Sequence, residues 1–351
     1  MKSYRVAIVG LGRMGSTIDD EFKGSPSNAL PYSIAACCKF SDRLELIAGA
    51  DTDSEKRDIF GERWGIGALY EDYVEMMEKE KPDMVAVCTR GHLHAEMGVA
   101  VAQAGVPMLY LEKAMACSMR EADFVRDECI KHGTLFNTGV LRRFDPRYWA
   151  VREVIESGQI GEPRVAVHYG RTNLLHGHIH SIDTISYLLG DPKIVSVRGE
   201  LRFRDKSEPP TIRNNRLDAD PDAIFDIVFE NGVEAWSVPE GPWEFEVIGD
   251  EGAVRSMNNG FNTQLRRAEN QGGKRAIWVD AEVPAAEAKS TVVICLEDLL
   301  NAHESGNPTL GDVETTHHIT EVCLMIAESH RQGGVWMELP LDNRDLYVFH
   351  R

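Results

Sequence analysis

The stretch Tyr-Arg-Val-Ala-Ile-Val-Gly-Leu-Gly-Arg-Met-Gly, residues 4–15, decides the fold of this chain. The apolar run at residues 5–9 predicts a short buried strand, and a G-x-G-x-x-G turn follows at once. A strand that turns through such glycines into a helix is typical of dinucleotide-binding domains, because amides at the helix start hold a pyrophosphate. The predicted cofactor contacts in this turn are Gly10, Gly12, Arg13, Met14 and Gly15.

Strands and helices alternate over about the first 137 residues. Further strands are predicted at residues 44–50, 84–88, 106–111 and 134–137, with helices between them. This alternation indicates parallel βαβ units in a doubly wound sheet. We therefore expect an α/β protein whose residues 1–140 form a dinucleotide-binding Rossmann domain.

The pattern changes after residue 137. Longer strands separated by turns are predicted at 164–170, 194–203, 223–230, 233–238 and 245–249. Helices are predicted at 143–157, 181–189 and 313–331, and the polar stretches 205–222 and 258–274 are predicted as exposed loops or irregular hairpins. This pattern favours a C-terminal α+β domain over residues 141–351, built on a large, mainly antiparallel open sheet.

Composition limits the possible partners and the compartment. The 351 residues carry 38 Lys and Arg against 56 Asp and Glu, a formal net charge of −18, which repels nucleic acids and anionic membranes. No apolar run approaches the roughly 18 residues of a membrane helix. Seven scattered cysteines without a CxxC pair favour reduced thiols. We expect a cytoplasmic protein with a small-molecule substrate, no nucleic-acid partner and no membrane partner.

Asp51 follows the second predicted strand, where an acidic residue would bind the ribose hydroxyls of the cofactor and repel a 2′-phosphate. NAD is therefore favoured over NADP, although Arg13 is placed to meet a 2′-phosphate. The 36 residues from Gly15 to Asp51 exceed the spacing of roughly 20 that such motifs show. The excess, residues 20–43, is interpreted as an inserted loop that either covers the cofactor or builds a subunit contact. A Rossmann-like domain with a vestigial pocket remains the alternative.

Four further segments carry a family resemblance: residues 88–94 (CTRGHLH), 112–114 (EKA), 142–146 (RRFDP) and 176–183 (HGHIHSID). Their order and spacing resemble the glucose–fructose oxidoreductase and inositol dehydrogenase family, called Gfo/Idh/MocA. The resemblance implies a Rossmann domain followed by an α/β domain whose open sheet commonly mediates dimerisation. It also implies NAD(P)-dependent oxidation or reduction of a sugar or cyclitol carbon, in a homodimer or homotetramer.

The resemblance assigns cofactor contacts to Thr89 and His94, which match the family's threonine near the pyrophosphate and the histidine that closes the same loop. The family's proline and asparagine after the threonine are replaced here by Arg90 and Gly91. Arg90 contacts a cofactor phosphate or an acidic substrate group in one interpretation, and faces solvent in the other.

Lys113 stands in the family's Glu-Lys-Pro motif, with Ala114 replacing the proline. The resemblance makes Lys113 a catalytic residue that contacts both cofactor and substrate. An ammonium beside the reacting hydroxyl stabilises the developing alkoxide. Glu112 is expected to support the cofactor ribose or to orient Lys113.

His180 falls on the family's catalytic histidine, and an imidazole titrates near neutral pH as a general base requires. Asp183, one helical turn onward, is expected to interact with that imidazole or with substrate. His176 and His178 replace an aspartate and a glycine of the family pattern. They are predicted to contact substrate, with a polar cleft wall and a three-histidine metal site with His180 as alternatives; no metal is predicted.

The resemblance places Arg142 and Arg143 near the domain junction and the cleft. One of them is expected to face the substrate, with Arg143 as the candidate, and the other to form a structural salt bridge; the sequence does not decide which. These assignments favour an NAD-dependent oxidoreductase that transfers hydride between a secondary alcohol of a sugar, cyclitol or glycoside and nicotinamide. The first alternative is a redox-neutral glycosidase or lyase that oxidises its substrate transiently. The second is a non-catalytic, dinucleotide-responsive regulatory protein.

Overall fold

The computed structural model describes residues 2–203, 209–270, 272 and 275–351. The strands, in chain order, are β1 Tyr4–Val9, β2 Leu44–Ala50, β3 Leu69–Tyr70, β4 Met84–Val87, β5 Met108–Leu111, β6 Leu135–Thr138, β7 Pro163–Tyr169, β8 Ile194–Arg202, β9 Arg216–Leu217, β10 Asp222–Phe229, β11 Glu234–Val238, β12 Glu244–Gly249, β13 Gly252–Met257, β14 Asn262–Glu269, β15 Ile277–Ala281, β16 Met337–Glu338 and β17 Tyr347–Val348.

The helices are α1 Asp19–Phe22, α2 Ile34–Phe40, α3 Ser54–Trp64, α4 Tyr73–Glu80, α5 His94–Gln103, α6 Met119–His132, α7 Pro146–Glu156, α8 Ile179–Leu188, α9 Thr291–Ser305 and α10 Val313–Arg331. Two π-helical turns lie at Arg13–Thr17 and Leu174–His178, and two 3₁₀ turns lie at Gly91–Leu93 and Leu141–Phe144. Among the residues described, no helix has the length and apolar character needed to cross a membrane.

The described chain divides into two compact units. The first comprises Met1–Phe144, Lys289–Thr320 and His350–Arg351, and the second comprises Asp145–Ala288 and Glu321–Phe349. The first unit thus contains the segment predicted as the Rossmann domain together with two later pieces of the chain.

The first unit is built on a six-stranded sheet in the order β3-β2-β1-β4-β5-β6, with every neighbouring pair parallel. Strands β4 and β5 are buried at every residue, which explains their unbroken apolar sequences, since a parallel sheet is covered on both faces. The predicted doubly wound parallel sheet is confirmed, and its strand order is the one associated with dinucleotide binding.

The insertion at residues 20–43 was predicted as a loop, and this is wrong for Ile34–Phe40, which form α2. The Asp19 carboxylate accepts the backbone N–H groups of Tyr32 and Ser33 at 2.7 and 3.0 Å, and the Ser33 hydroxyl caps the helix. Cys37 and Cys38 are buried in the core of the first unit. One face of α2 therefore forms part of the packed interior, while residues 20–32 of the insertion are partly or fully exposed.

Helix α9 has no counterpart among the sequence predictions, and it belongs to the first unit rather than the second. Its buried side chains Val292, Leu296 and Leu299 join the core cluster that contains the strands β1 and β5. The amide of Asn137, at the end of β6, donates to the Cys295 carbonyl at 3.1 Å. The apolar face of α9 and the buried amide of Asn137 thus hold residues 289–320 in the first unit.

The second unit contains a nine-stranded sheet in the order β15-β14-β13-β12-β7-β11-β10-β8-β16. Only the β7–β11 pair is parallel, so the predicted, mainly antiparallel sheet is confirmed. Of the loop or irregular hairpin predicted at 258–274, the loop is wrong for β14, which forms antiparallel hairpins with β13 and β15. Its sequence NTQLRRAE has one fully buried side chain, Leu265, so it lacks the apolar alternation of a strand. Of the polar stretch 205–222, residues 205–208 lie outside the described residues.

We expect Leu296→Ala in α9 to lower the free energy of unfolding by about 2–5 kcal/mol, because Leu296 is fully buried. The matched control Leu310→Ala removes the same atoms from a side chain that is 45% exposed, and should cost far less. Urea titration followed by circular dichroism measures both. Equal losses in the two variants would contradict the assignment of α9 to the core.

Candidate active site

The glycine turn between β1 and the following helical turn shows why each glycine is required. Gly10 has φ +91°, and a Cβ there would lie 2.8 Å from the carbonyl carbon of Cys88. A Cβ on Gly15 would lie 2.2 Å from the Gly10 oxygen, whereas a Cβ on Gly12 would meet no protein atom within 4 Å. Packing therefore explains Gly10 and Gly15, whereas the backbone of Gly12 faces space that no protein atom fills.

The helical segment after this turn offers its first amides to an anion. Backbone bonding within the turn begins with the Ser16 N–H, which donates to the Gly12 oxygen at 2.8 Å. The amides of Arg13, Met14 and Gly15 precede it, and such groups at a helix start favour phosphate. These residues fit the diphosphate of a dinucleotide.

The side chain of Arg13 is engaged elsewhere. Its Nε and Nη2 atoms donate to the two carboxylate oxygens of Glu21, both at 2.7 Å. The neighbouring Asp20 pairs with Arg63 and Lys23, which hold its pKa well below the usual range. The Arg13 guanidinium, which the sequence places to meet a 2′-phosphate, is thus already paired with the Glu21 carboxylate.

Asp51 follows β2 and reaches the glycine turn. One carboxylate oxygen accepts the N–H of Leu11 at 2.9 Å, and the other accepts the N–H of Asp53 at 3.0 Å. This placement follows from the parallel pairing of β1 with β2, in which Val9 lies opposite Ala50. The spacing of 36 residues therefore does not displace Asp51, because the extra residues leave the register of the two strands unchanged.

The loop after β4 brings Thr89 and His94 next to the glycine turn. A Cβ on Gly10 would lie 2.9 Å from the Thr89 methyl carbon. The buried His94 ring lies between two carbonyl oxygens, with Nδ1 2.7 Å from Ala114 and Nε2 3.1 Å from Thr89. Burial lowers the pKa of the His94 imidazole to about 4, and a neutral ring has one N–H, which donates to one of these two oxygens at a time. His94 therefore ties the β4 loop to the β5 loop, while Arg90 is exposed.

The loop after β5 presents Glu112 and Lys113. The Tyr110 hydroxyl donates to Glu112 at 2.6 Å, and the Lys113 backbone N–H donates to its other oxygen at 3.2 Å. A Cβ on Gly139 would lie 2.6 Å from Glu112, so that glycine makes room for the carboxylate. Lys113 is half-buried, and within the described part of the chain its ammonium makes no hydrogen bond or ion pair.

In the second unit, the π-helical turn Leu174–His178 carries two of the predicted histidines. The Asp220 carboxylate accepts the N–H groups of Leu175 and His176, both at 2.8 Å. A Cβ on Gly177 would lie 1.5 Å from the Thr172 hydroxyl oxygen, so a glycine is needed there. The Asp220 carboxylate and the packing of Thr172 against Gly177 hold this turn. The His176 side chain is exposed.

His178 occupies the core of the second unit. Its Nδ1 lies 2.8 Å from the Ser181 hydroxyl and its Nε2 lies 2.8 Å from the Ala223 carbonyl oxygen. The ring packs edge-on against Phe225 and is fully buried. Burial lowers its pKa to about 4. Both ring nitrogens face protein atoms, so we leave His178 out of the substrate contacts proposed below.

His180 lies in the first turn of α8, and Asp183 follows three residues later on the same face. His180 is partly exposed, whereas Asp183 is 2% exposed. Arg143, in the 3₁₀ turn of the first unit, is 1% exposed. Over residues 2–203, 209–270, 272 and 275–351, no cluster of three or more His, Cys, Asp or Glu side chains is arranged to hold a metal ion.

Two residues of these networks escaped the sequence analysis. Tyr110 lies in β5, two positions before Glu112, so the two-residue period of an extended chain offered a signal for it. Asp220 lies 44 residues after His176, and no pattern in the sequence links the two.

The sequence of this chain is similar to the sequences of known oxidoreductases. Residues 4–140 match the family model GFO_IDH_MocA, described as an oxidoreductase family with an NAD-binding Rossmann fold. Inositol 2-dehydrogenase 1 of Saccharopolyspora erythraea is 25% identical over 344 residues, 93% of this chain and 94% of that protein. Myo-inositol 2-dehydrogenase of Thermotoga maritima is 27% identical over 201 residues, but the match spans only 53% of this chain and 55% of that protein.

A solved structure shares the whole architecture. The aldose-aldose oxidoreductase of Caulobacter crescentus, complexed with glycerol, superimposes with a TM-score of 0.77 and 21% identity, covering 96% of this chain and 100% of that one. The parallel sheet and the glycine turn define a Rossmann fold, and residues 4–140 of this chain are similar to a family of NAD-binding oxidoreductases.

We expect stability to fall on acidification because of His178. The folded ring stays neutral down to about pH 4, whereas the unfolded chain takes up a proton near pH 6.5, so its contribution is full above 6.5 and is lost below. Between pH 7 and 5, the free energy of unfolding of the native protein should fall by about 2 kcal/mol more than that of His178→Gln.

The control for this comparison is His303→Gln, which alters an exposed histidine of α9. It should keep the native pH dependence in urea titrations at the same pH values. An unaltered slope in His178→Gln would show that the ring is not held neutral.

Proposed function

We propose that this protein is an NAD-dependent dehydrogenase that oxidises a secondary alcohol of a cyclitol or sugar. The observation that carries the proposal is the cluster at the carboxyl ends of β1, β2, β4 and β5. There Asp51 accepts the Leu11 N–H of the glycine turn, and the Thr89 methyl lies against Gly10. The His94 ring lies against the carbonyl oxygens of Thr89 and of Ala114, the residue after Lys113. The similarity to inositol dehydrogenases supports a polyhydroxylated ring as substrate.

The residues of the first unit fit NAD better than NADP. The amides of the glycine turn would hold the diphosphate, and Asp51 would accept hydrogen bonds from the adenosine ribose. A 2′-phosphate would meet the Asp51 carboxylate, while Arg13 is already paired with Glu21. Thr89 and the loop held by His94 complete the contacts. Bound NAD supplies a hydride acceptor for the alcohol carbon.

Lys113 supplies the positive charge that the reaction requires. When hydride leaves an alcohol carbon, negative charge develops on its oxygen, and an ammonium stabilises that charge. Glu112, held by Tyr110, accepts the Lys113 backbone N–H and so fixes the start of the loop that carries the ammonium. We assign Glu112 to positioning of Lys113 rather than to proton transfer.

His180 is proposed as the general base that takes the hydroxyl proton. Its ring is partly exposed at the first turn of a buried helix, so it combines access with a rigid support. Asp183 lies one turn onward and is proposed to stabilise the imidazolium that forms. His176 is exposed on the clamped turn and is proposed to bind a substrate hydroxyl, whereas the buried Arg143 is proposed to support the site.

The acidic net charge of −18 and the small-molecule chemistry agree with a cytoplasmic enzyme without nucleic-acid or membrane partners. Assembly into a homodimer or homotetramer stays a prediction.

The first experiment mixes the protein with NAD and a panel of inositols, aldoses and glycosides, and records NADH absorbance together with released aglycone. We expect absorbance to rise in proportion to substrate consumed. Aglycone release at constant absorbance would establish the redox-neutral lyase instead. If neither signal changes although NAD binds, the regulatory protein is favoured.

Lys113→Ala and His180→Ala should each lower kcat by roughly 10²- to 10⁴-fold, since each removes a charge or proton acceptor of the transition state. Neither should weaken NADH binding by more than a few-fold. His303→Ala serves as the control that retains full activity. If either variant keeps native kcat, the assigned role is wrong.

Asp51→Ala should lower the preference for NAD over NADP, because it removes the ribose acceptor and the charge that repels a 2′-phosphate. The ratio of kcat/KM for the two cofactors measures the preference, and we expect a shift of roughly tenfold or more. The control Asp53→Ala alters the neighbouring carboxylate, which caps α3, and should leave the ratio unchanged. An identical ratio in native protein and Asp51→Ala would exclude Asp51 as the determinant.

A further inference from the structure

The segment that follows β17 reaches the cofactor loop of the first unit through His350. The His350 carbonyl oxygen accepts the backbone N–H of His92 at 2.9 Å. The His350 side chain is only 4% exposed, although it lies more than 250 residues from that loop along the chain. A buried imidazole at this place is not used by any step of the proposed reaction.

The ring of His350 lies directly against Gly91. A Cβ on Gly91 would lie 2.0 Å from the His350 Cδ2 atom, 2.8 Å from Cγ and 3.0 Å from Nε2. The φ of Gly91 is outside the left-handed region, so its backbone would accept any residue. The ring of His350 is therefore what demands a glycine, at the position where the family's usual loop carries an asparagine.

Gly91 in turn begins the 3₁₀ turn that leads into His94. The Leu93 N–H donates to the Arg90 oxygen at 2.9 Å, and the His94 N–H donates to the Gly91 oxygen. The His94 ring then lies against the carbonyl oxygens of Thr89 and Ala114. A displacement at Gly91 would therefore reach both Thr89 and the residue after Lys113.

We propose that His350 is a positioning residue for the cofactor loop, and that its ring and Gly91 form a matched pair that holds residues 89–94 in the conformation that binds NAD. The inference rests on the proposed function, since it assumes that this loop contacts the cofactor. In this proposal the His350 ring acts by filling the space that a side chain at position 91 would need.

The test is a double-mutant cycle read by NADH fluorescence titration. Gly91→Ala should raise the Kd for NADH by roughly tenfold, because its methyl group displaces the ring, and His350→Ala should do the same. The double variant should bind no worse than His350→Ala alone, since the clash has gone. His350→Phe should bind NADH nearly as well as the native protein, because a planar ring fills the same space.

Kinetics and thermal melting distinguish a positioning role of His350 from a general destabilisation of the protein. In His350→Ala the KM for NAD should rise while kcat at saturating NAD stays near the native value. The loss of a buried ring should lower the melting temperature, but the transition should remain cooperative and lie above the assay temperature. A variant that fails to fold would lose its cooperative melting transition, and His350→Phe then decides the question.

Two results would overturn the pairing of Gly91 with His350: a native Kd for NADH in His350→Ala, or effects of Gly91→Ala and His350→Ala that add independently. Failure of the native protein itself to bind NADH would be a different outcome, because it removes the proposed function on which the pairing rests.

Discussion

Parallel pairing of β1 with β2 and β4 is the constraint on which the first unit depends. Strands that run in one direction end at one edge of the sheet, so the turns that follow them meet there. Gly10 thereby rests on the Cys88 carbonyl, and Leu11 donates to Asp51 across 40 residues of sequence. The candidate cofactor site is a consequence of strand register, and it survives a long insertion because α2 packs inside the core.

Buried polar groups with defined partners hold the loops that carry the chemistry. Each is expensive to bury unless its hydrogen bonds are made, so each restricts its loop to one arrangement. The Glu112 carboxylate accepts hydrogen bonds from the Tyr110 hydroxyl and the Lys113 N–H, and the His94 ring lies between two carbonyl oxygens. The Asp220 carboxylate accepts two backbone N–H groups of the turn before α8. Lys113, proposed for catalysis, lies on the loop after β5, where its N–H donates to Glu112. His180, also proposed for catalysis, lies at the start of α8, directly after the turn that Asp220 holds.

The elements missed by sequence reasoning share a physical cause. Helix α2 was hidden by proline and glycine on its flanks, and it forms because Ser33 caps it and the core accepts its apolar face. Helix α9 is apolar, but nothing local indicates that its partner is a sheet formed by residues far earlier in the chain. Strand β14 is polar because only Leu265 faces the interior, and pairing with β13 and β15 makes it a strand.

Residue types at short spacing were enough to predict the glycine turn and the acid after β2. The roles of the Glu-Lys pair and of the histidine at the start of α8 came from the family resemblance, and they stay predictions. Tertiary packing decided which histidines face outward. His178 is enclosed by Phe225 and the Ala223 carbonyl, whereas His176, two residues earlier, is exposed. It also decided that His350 lies on Gly91, because contacts between distant segments arise from burial and register, which no short pattern of residues encodes.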